Sequence, residues 1–380
     1  MNGAGTDAWG FDLNRQAEAR RIRTKRRRLS WIRYAVLIGY LAALLVGLSQ
    51  DLRTLAVSSL PPLLSTSVFL LVVYLIGAAL DLPFAFVSGL RWERESGLST
   101  QSIRSWLGDR AKAALLTLAG VVVAGNLILW LIATEGPWWW LLAWSLGLVM
   151  SLVIGFLAPI VLAPLFFRFR PLSDEALRNR FRALAEASGV PVIGVFVMAA
   201  SAKTRRSNAA VVGFGRTRRI VITDTMTDRF APEEIEAVLA HELGHQRNRD
   251  PLKGLVVGAL VSLVMLGISA WAYSSTYSLI GLSSPADMAG LPLLATFSGL
   301  VSLALGPAEL AWSRRRESRA DDFALEVTKG PVAFASAMVK LHDENLAIAH
   351  PARWERLLIF THPSGRERVE TARRFATRSA

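Results

Sequence analysis

Six apolar stretches constrain the fold of this chain more than any other feature of its sequence. A helix that crosses a bilayer needs about 20 mostly apolar residues and must satisfy its own backbone hydrogen bonds. Hydrophobic residues make up 52% of the 380 residues, and the mean hydropathy is +0.36. The sequence therefore predicts a mainly α-helical, polytopic membrane protein with about six spans, at residues 32–48, 64–86, 111–134, 141–167, 252–273 and 291–311.

The distribution of basic residues predicts how these spans are oriented. The chain carries a net charge of +13, and a basic run at residues 20–28 stands just before the first span. Lys and Arg are enriched in loops on the cytoplasmic side of a membrane. With a cytoplasmic N-terminus, the basic segments 91–110, 168–250 and 313–380 all lie in the cytoplasm, whereas splitting 141–167 into two spans would break this agreement. We therefore expect a multi-pass protein of the cell membrane whose N-terminus is cytoplasmic.

A metal-binding motif stands in the polar segment before the fifth span. Residues 241–245 read His-Glu-Leu-Gly-His, so His241 and His245 lie one turn apart on the same face of a helix. Both imidazoles can then bind one ion, and Glu242 can act on a water molecule held there. The chain has no cysteine, which leaves His, Glu and Asp as its metal ligands. The alternative is a helix with two structural histidines and a surface glutamate.

A catalytic zinc site usually has three protein ligands, so a third ligand is expected on another element. The best candidate is Glu317, which shares a helix face with Asp321 four residues later. Glu317 can bind the metal while Asp321 accepts a hydrogen bond from a ligand histidine. The alternative is a solvated, salt-bridged start of a helix that follows a membrane span.

The polar and apolar segments predict an interleaved domain organisation. Short apolar runs at 190–198, 209–214 and 219–223 predict a small β-sheet before the motif helix. The predicted parts are a basic cytoplasmic segment (1–31), four transmembrane helices with a cytoplasmic loop at 88–110 (32–167), the first part of a metalloprotease domain (168–250), two transmembrane helices (251–312) and the second part of that domain with the third ligand (313–380).

Several separated motifs together resemble one family. His241-Glu242-Leu243-Gly244-His245 is followed by Ser313-Arg314-x-x-Glu317-x-x-Ala320-Asp321, and later by Thr361-His362-Pro363-Ser364 and Glu367-Arg368. Lys203 to Ala209 precedes the motif helix in the same order. This pattern resembles the membrane-embedded CAAX prenyl endopeptidases and their HtpX-like relatives. The resemblance implies a gluzincin-type metallopeptidase domain that binds one Zn²⁺ per chain.

The resemblance also implies a role for each matching residue. It makes Glu242 the general base and Asp321 the partner of a ligand histidine. His362 and Arg368 would face the site and hydrogen-bond the oxyanion or the substrate carbonyl. Asn208 would begin an edge strand on which an extended substrate can pair. The zinc ligands would be His241, His245 and Glu317.

The expected function is that of an integral-membrane zinc metalloendopeptidase. It would hydrolyse peptide bonds of membrane or membrane-proximal polypeptides at the cytoplasmic face, through a zinc-activated water with Glu242 as general base. The expected partners are a polypeptide substrate and the lipid bilayer, with no nucleic acid, because the positive charge clusters at the ends of apolar runs. Two alternatives remain open: a prenyl-CAAX processing endopeptidase and a non-catalytic membrane scaffold of the same fold.

Overall fold

The computed structural model describes residues 5–57 and 60–379. Residues 1–4, 58, 59 and 380, which fall in the predicted terminal segments and first outer loop, lie outside this description. Within it, six helical segments are long and apolar enough to cross a membrane: Leu13–Ala56, Pro62–Glu95, Ile103–Thr134, Gly136–Leu165, Asp250–Ile280 and Met288–Thr328. The predicted count of six spans is therefore confirmed.

The membrane helices extend well beyond the apolar stretches. The N-terminal half contains α1 (Leu13–Ala43), α2 (Ser49–Val57), α3 (Pro62–Phe86), α4 (Trp92–Glu95), α5 (Ile103–Thr134) and α6 (Trp139–Leu157). A π-helical turn joins α1 to α2 and another joins α3 to α4, so much of the predicted loop at 88–110 is helical. A third π-helical turn follows α6 at Ala158–Leu162, where Pro159 cannot donate a backbone hydrogen bond.

The metalloprotease part contains a four-stranded mixed sheet. Its strands are β1 (Phe169–Pro171), β2 (Val195–Met198), β3 (Ala209–Val212) and β4 (Arg219–Thr223), in the order β1-β2-β4-β3. The predicted hairpin is β3 and β4, which pair antiparallel, whereas β2 and β4 are parallel. The three-residue strand β1 was not predicted. Because β3 pairs only with β4, it forms an edge of the sheet.

The remaining helices include the last two spans and carry the metal-motif residues. They are α7 (Glu175–Ala187), α8 (Asp224–Arg229), α9 (Pro232–Arg247), α10 (Asp250–Thr276), α11 (Leu291–Thr328), α12 (Pro331–Glu344), α13 (Arg353–Leu358) and α14 (Gly365–Ser379). The inner face of the sheet packs on α9, and α12 and α14 complete one apolar core. Helix α11 continues without a break from the sixth span into this core. The two parts of the predicted metalloprotease domain therefore share one hydrophobic core.

The N-terminal segment packs on the C-terminal part of the chain. Phe11 is fully buried in the same core, and Asp7 Oδ2 lies 2.7 Å from His350 Nε2. Gln16 Nε2 donates to Asp343 Oδ1 at 2.9 Å. These contacts place the N-terminus on the same side of the membrane helices as the metalloprotease part.

Candidate metal centre

Helix α9 presents the two motif histidines to one point. Pro232 occupies the first turn of α9, where its missing N–H costs no hydrogen bond. His241 Nε2 and His245 Nε2 lie 3.3 Å apart. Glu317 comes from α11, with Oε2 3.2 Å from His241 Nε2 and Oε1 3.4 Å from His245 Nε2. One ligand atom from each of these three residues lies within 4.8 Å of the others, as one ion requires.

The outer nitrogens of both histidines are held by carboxylates. His241 Nδ1 lies 2.8 Å from Asp321 Oδ1, and His245 Nδ1 lies 2.9 Å from Asp250 Oδ2. Because a carboxylate only accepts hydrogen bonds, each Nδ1 carries a proton, and the neutral form of each imidazole, which binds metal, turns an Nε2 lone pair inward. Two lone pairs and the Glu317 carboxylate then face one another, an arrangement that a cation between them stabilises. Two imidazoles and a carboxylate form the donor set of catalytic zinc sites, so the residues present fit Zn²⁺.

The electrostatics of the site also favour a bound cation. Burial and the Arg368 guanidinium oppose a positive charge on His241, but hydrogen bonds to Asp321 and Glu317 outweigh them and raise the pKa of His241 to about 9. The Glu317 carboxylate faces three imidazole nitrogens: His241 Nε2, His245 Nε2 and His362 Nδ1. The site therefore favours positive charge next to the Glu317 carboxylate.

Glu242 has a different environment from the histidines beside it. Its side chain is half-buried, and the described part of the chain offers it no hydrogen bond or ion pair. It follows His241 directly on α9, so it lies next to the metal ligands without being tied to a neighbour. A carboxylate in this setting can exchange a proton with a nearby water molecule.

The structure brings His362 and Arg368 to the site, but in different positions. The His362 side chain is 57% exposed, and its Nδ1 lies 2.6 Å from Glu317 Oε2. Arg368 lies on α14 with its side chain 11% exposed, and its Nε lies 3.1 and 3.0 Å from the two Asp321 carboxylate oxygens. Arg368 therefore stands behind His241, against the carboxylate that holds it. The roles expected for both residues at the substrate stay predictions.

Asn208 directly precedes the edge strand β3 and is exposed; its role in binding substrate stays a prediction. Its backbone N–H donates to Thr223 Oγ1 at 2.9 Å, and its carbonyl accepts from Thr223 N at 2.9 Å. Gln246, the residue after His245, brings its Nε2 to 3.4 Å from the Val211 carbonyl oxygen. The free edge of β3 therefore lies alongside the motif helix.

Asp250 is a site residue that the sequence reasoning missed. It is 2% exposed and begins α10, directly after the motif helix. Arg249 between the helices adopts a left-handed conformation (φ 55°), and this turn directs Asp250 back towards His245. The available signal was chemical: a ligand histidine needs a partner for its second nitrogen, and Asp250 was the next acidic residue in the chain.

Two family profiles match consecutive parts of the chain. Residues 11–168 match the CAAX prenyl protease N-terminal domain, which is described as having five membrane helices. In this range the described chain has four helices long and apolar enough to span a membrane. Residues 171–376, which include all three candidate metal ligands, match peptidase family M48.

Individual proteins show the same similarity. The chain is 29% identical over 349 residues to the uncharacterized metalloprotease YhfN of Bacillus subtilis, covering 90% of this chain and 80% of that protein. It is 30% identical over 315 residues to a CAAX prenyl protease 1 homolog of Oryza sativa, covering 81% and 73%. The crystal structure of Ste24p from S. mikatae superposes with a TM-score of 0.87 at 21% identity, covering 98% and 92%, and so shares the fold.

The metal centre and the family match agree. Membership in this family implies a zinc-dependent hydrolase of peptide bonds, and the converging His241, His245 and Glu317 supply a site for the metal. The chain therefore belongs to peptidase family M48 and is a multi-pass membrane zinc metalloendopeptidase.

Proposed function

We propose that this endopeptidase cleaves membrane or membrane-proximal polypeptides at the cytoplasmic face of the cell membrane, with Glu242 as general base. One observation carries the proposal: His241, His245 and Glu317 converge beside Glu242, which forms no hydrogen bond or ion pair among the described residues. The ligands stand close to the membrane, because the span α10 begins five residues after His245 and α11 leaves the sixth span shortly before Glu317. A substrate in or near the bilayer can reach such a site.

The side chains around the metal each have a defined task in this proposal. Bound zinc would activate a water molecule and polarise the scissile carbonyl. Glu242 removes a proton from the water and delivers it to the leaving amine. Asp321 and Asp250 keep both histidines in the tautomer that binds metal, and Arg368 holds Asp321 in place. The partly exposed His362 can donate a hydrogen bond to the developing oxyanion.

We also infer that the domain boundaries follow the predicted division, with one catalytic domain made of 168–250 and 313–380. Support comes from the shared apolar core, which joins β2, α9, α12 and α14. The basic segments support a cytoplasmic location for this domain. Docking of the N-terminal segment on residues 343–350 supports the same side for the N-terminus.

Metal analysis combined with a cleavage assay tests the proposal. The purified full-length chain in lipid nanodiscs should hold one zinc per chain and should cleave an added polypeptide that is anchored in the same bilayer. 1,10-Phenanthroline should abolish cleavage, and added Zn²⁺ should restore it. A protein without zinc, or cleavage that withstands the chelator, would contradict the proposal.

Prenyl-CAAX processing is a second candidate, favoured by the relatives that are named CAAX prenyl protease 1 homologs. The same metal centre would serve both functions, so only the choice of substrate distinguishes them. Mass spectrometry on a farnesylated CAAX peptide and its unmodified counterpart separates the two. Cleavage confined to the farnesylated peptide would favour the narrower function.

A further inference from the structure

An apolar cavity of about 380 Å³ lies on the outer face of the sheet, the side that does not pack on α9. The sheet contributes Phe196, Met198, Ala210 and Val221, and the end of the fourth span contributes Pro159 and Pro164. Its walls therefore come from both the catalytic domain and a membrane segment. A cavity of this size admits the largest natural apolar side chains.

An extended chain that paired with the edge strand β3 would pass this cavity. The bonds between Asn208 and Thr223, with the antiparallel register, direct the backbone groups of Ala209 and Val211 away from β4, towards the edge where Gln246 Nε2 lies 3.4 Å from the Val211 carbonyl oxygen. The side chains of Ala209 and Val211 point into the core, whereas those of Ala210 and Val212 point to the outer face. In a strand added at this edge, the residues opposite Ala210 and Val212 would also point outward.

Arg219 is a charged residue on the outer face of the sheet, beside the cavity. It pairs with Val212 across the hairpin, lines the cavity and stacks its guanidinium 5.7 Å from the centre of the Phe196 ring. Its Nε is buried and has no acceptor in the described part of the chain, and no carboxylate there forms an ion pair with it. A buried guanidinium nitrogen without an acceptor favours a ligand that brings an anionic group.

We propose that a substrate strand paired with β3 places a bulky apolar side chain in this cavity and, two residues away on the same face, an acidic side chain against Arg219. The inference rests on the proposed function, because it assigns two specificity subsites to that substrate. The apolar subsite faces Ala210 and Val221, and the anionic subsite faces Val212 and Arg219.

A charge reversal tests the anionic subsite. Peptides that the parent enzyme cleaves are prepared with Glu or Lys at each position, and the ratio of the two kcat/KM values is measured. At one position the parent should prefer Glu to Lys. Arg219→Glu should lower the Glu-to-Lys ratio of kcat/KM at that position about tenfold, equivalent to about 1.4 kcal/mol, because it replaces an attraction by a repulsion. Arg216→Glu is the matched control: it makes the same charge change on the exposed hairpin turn, outside the cavity, and should leave the ratio unchanged.

A second variant tests the apolar subsite and its spacing. Val221→Trp fills the cavity and should remove a preference for bulky apolar residues at a position two residues from the one that responds to Arg219→Glu. The Glu-to-Lys ratio should survive in this variant, which also shows that it folds. Equal responses to Arg219→Glu and Arg216→Glu, or no responding position, would overturn the inference alone. A parent enzyme that cleaves no peptide would overturn the proposed function and this inference with it.

Discussion

His241 and Glu242 are neighbours on α9, yet their surroundings suit opposite tasks. His241 is buried and tied to Asp321 through Nδ1, so its orientation is fixed before any metal binds. Glu242 has no hydrogen-bond or ion-pair partner in the described chain, so its carboxylate can turn towards a water molecule. A metal ligand profits from being held in place, whereas a general base must reach both the water and the leaving amine.

Replacing Glu242 should separate metal binding from turnover. We expect Glu242→Gln to keep one zinc per chain and to lower kcat by about 10²–10⁴, the range typical of general acid–base catalysis. His245→Ala and Glu317→Ala should lose both zinc and activity. Zinc content by mass spectrometry and a cleavage assay on the same preparations check this. Full proteolysis by purified Glu242→Gln would rule out its role as base.

Asp250 should contribute to zinc affinity through His245. Removing the carboxylate in Asp250→Ala frees His245 Nδ1, and loss of such a partner typically weakens metal binding about 10–100-fold. Zinc affinity is measured by competition with a chromogenic chelator. Asp322→Ala is the matched control, since Asp322 has no hydrogen bond or ion pair to a metal ligand among the described residues. Equal affinities in the two variants would contradict the assignment.

The sequence predicted those site residues whose positions follow from helix periodicity. Spacings of four place His241 with His245, and Glu317 with Asp321, on common faces, and the structure brings all four together. The position of Asp250 depends on the left-handed turn at Arg249, which no periodicity reveals. Contacts between distant segments, such as Arg368 with Asp321, depend on how α14 packs on α11.

At the scale of elements, the start of α9 is fixed by one buried glutamate. Glu234 Oε2 accepts from the backbone N–H of Ala231 at 2.8 Å and from Lys340 Nζ at 2.6 Å, and Oε1 accepts from Ser336 Oγ at 2.5 Å. The first contact caps α9, and the other two join it to α12. The helix that carries the metal ligands is thereby anchored at its N-terminus.

Glu234→Gln should destabilise the protein by about 1–3 kcal/mol at neutral pH, because hydrogen bonds to a charged acceptor are lost. Burial opposes the charge on Glu234, but Lys340, Ser336 and the Ala231 N–H outweigh it and lower the pKa of this carboxyl below its ordinary 4.5. A lowered pKa in the folded state contributes stability above pH 4.5 that is lost as the pH falls through the folded value.

Thermal unfolding of the detergent-solubilised protein at several pH values checks this. The difference in Tm between the parent and Glu234→Gln should be largest near pH 7 and should shrink at acidic pH. Glu233→Gln serves as control: its side chain is 55% exposed and its ion pair with Arg180 is worth little. A Tm loss in Glu233→Gln as large as in Glu234→Gln would contradict the anchoring role.

The sequence predicts those helices and strands whose pattern lies within a short run of neighbouring residues. The β3–β4 hairpin follows from two apolar runs around a turn, whereas β1 has three residues, ends in Pro171 and gives no pattern of its own. The basic run before the first span predicts the membrane topology. The structure adds a packing role, since Arg27 lies 3.4 Å from Glu355 and Arg26 binds Glu93. Both partners are distant in sequence, so the charge pattern alone could not identify them.

On the scale of the whole molecule, the metal centre joins segments that two membrane spans separate. Glu317 lies 72 residues after His245, and α10 and the first part of α11 lie between them. Because both ligands bind one ion, the chain must return to the same side of the membrane, which an even number of intervening spans ensures. Phe11 and Gln16 pack on the C-terminal part, so the four N-terminal spans must also return the chain to the side on which it began.

Single-cysteine labelling tests this topology directly, because the chain contains no cysteine of its own. Ala17→Cys and Ala202→Cys introduce exposed thiols near the N-terminus and before β3, and Ser283→Cys places one between α10 and α11. In intact cells a membrane-impermeant maleimide should label only Ser283→Cys, and after permeabilisation it should label all three. The physical reason is that the basic segments stay in the cytoplasm while the sparsely basic loops cross. Labelling of Ala202→Cys in intact cells would invert the proposed orientation, and opposite results for Ala17→Cys and Ala202→Cys would contradict the even number of N-terminal spans.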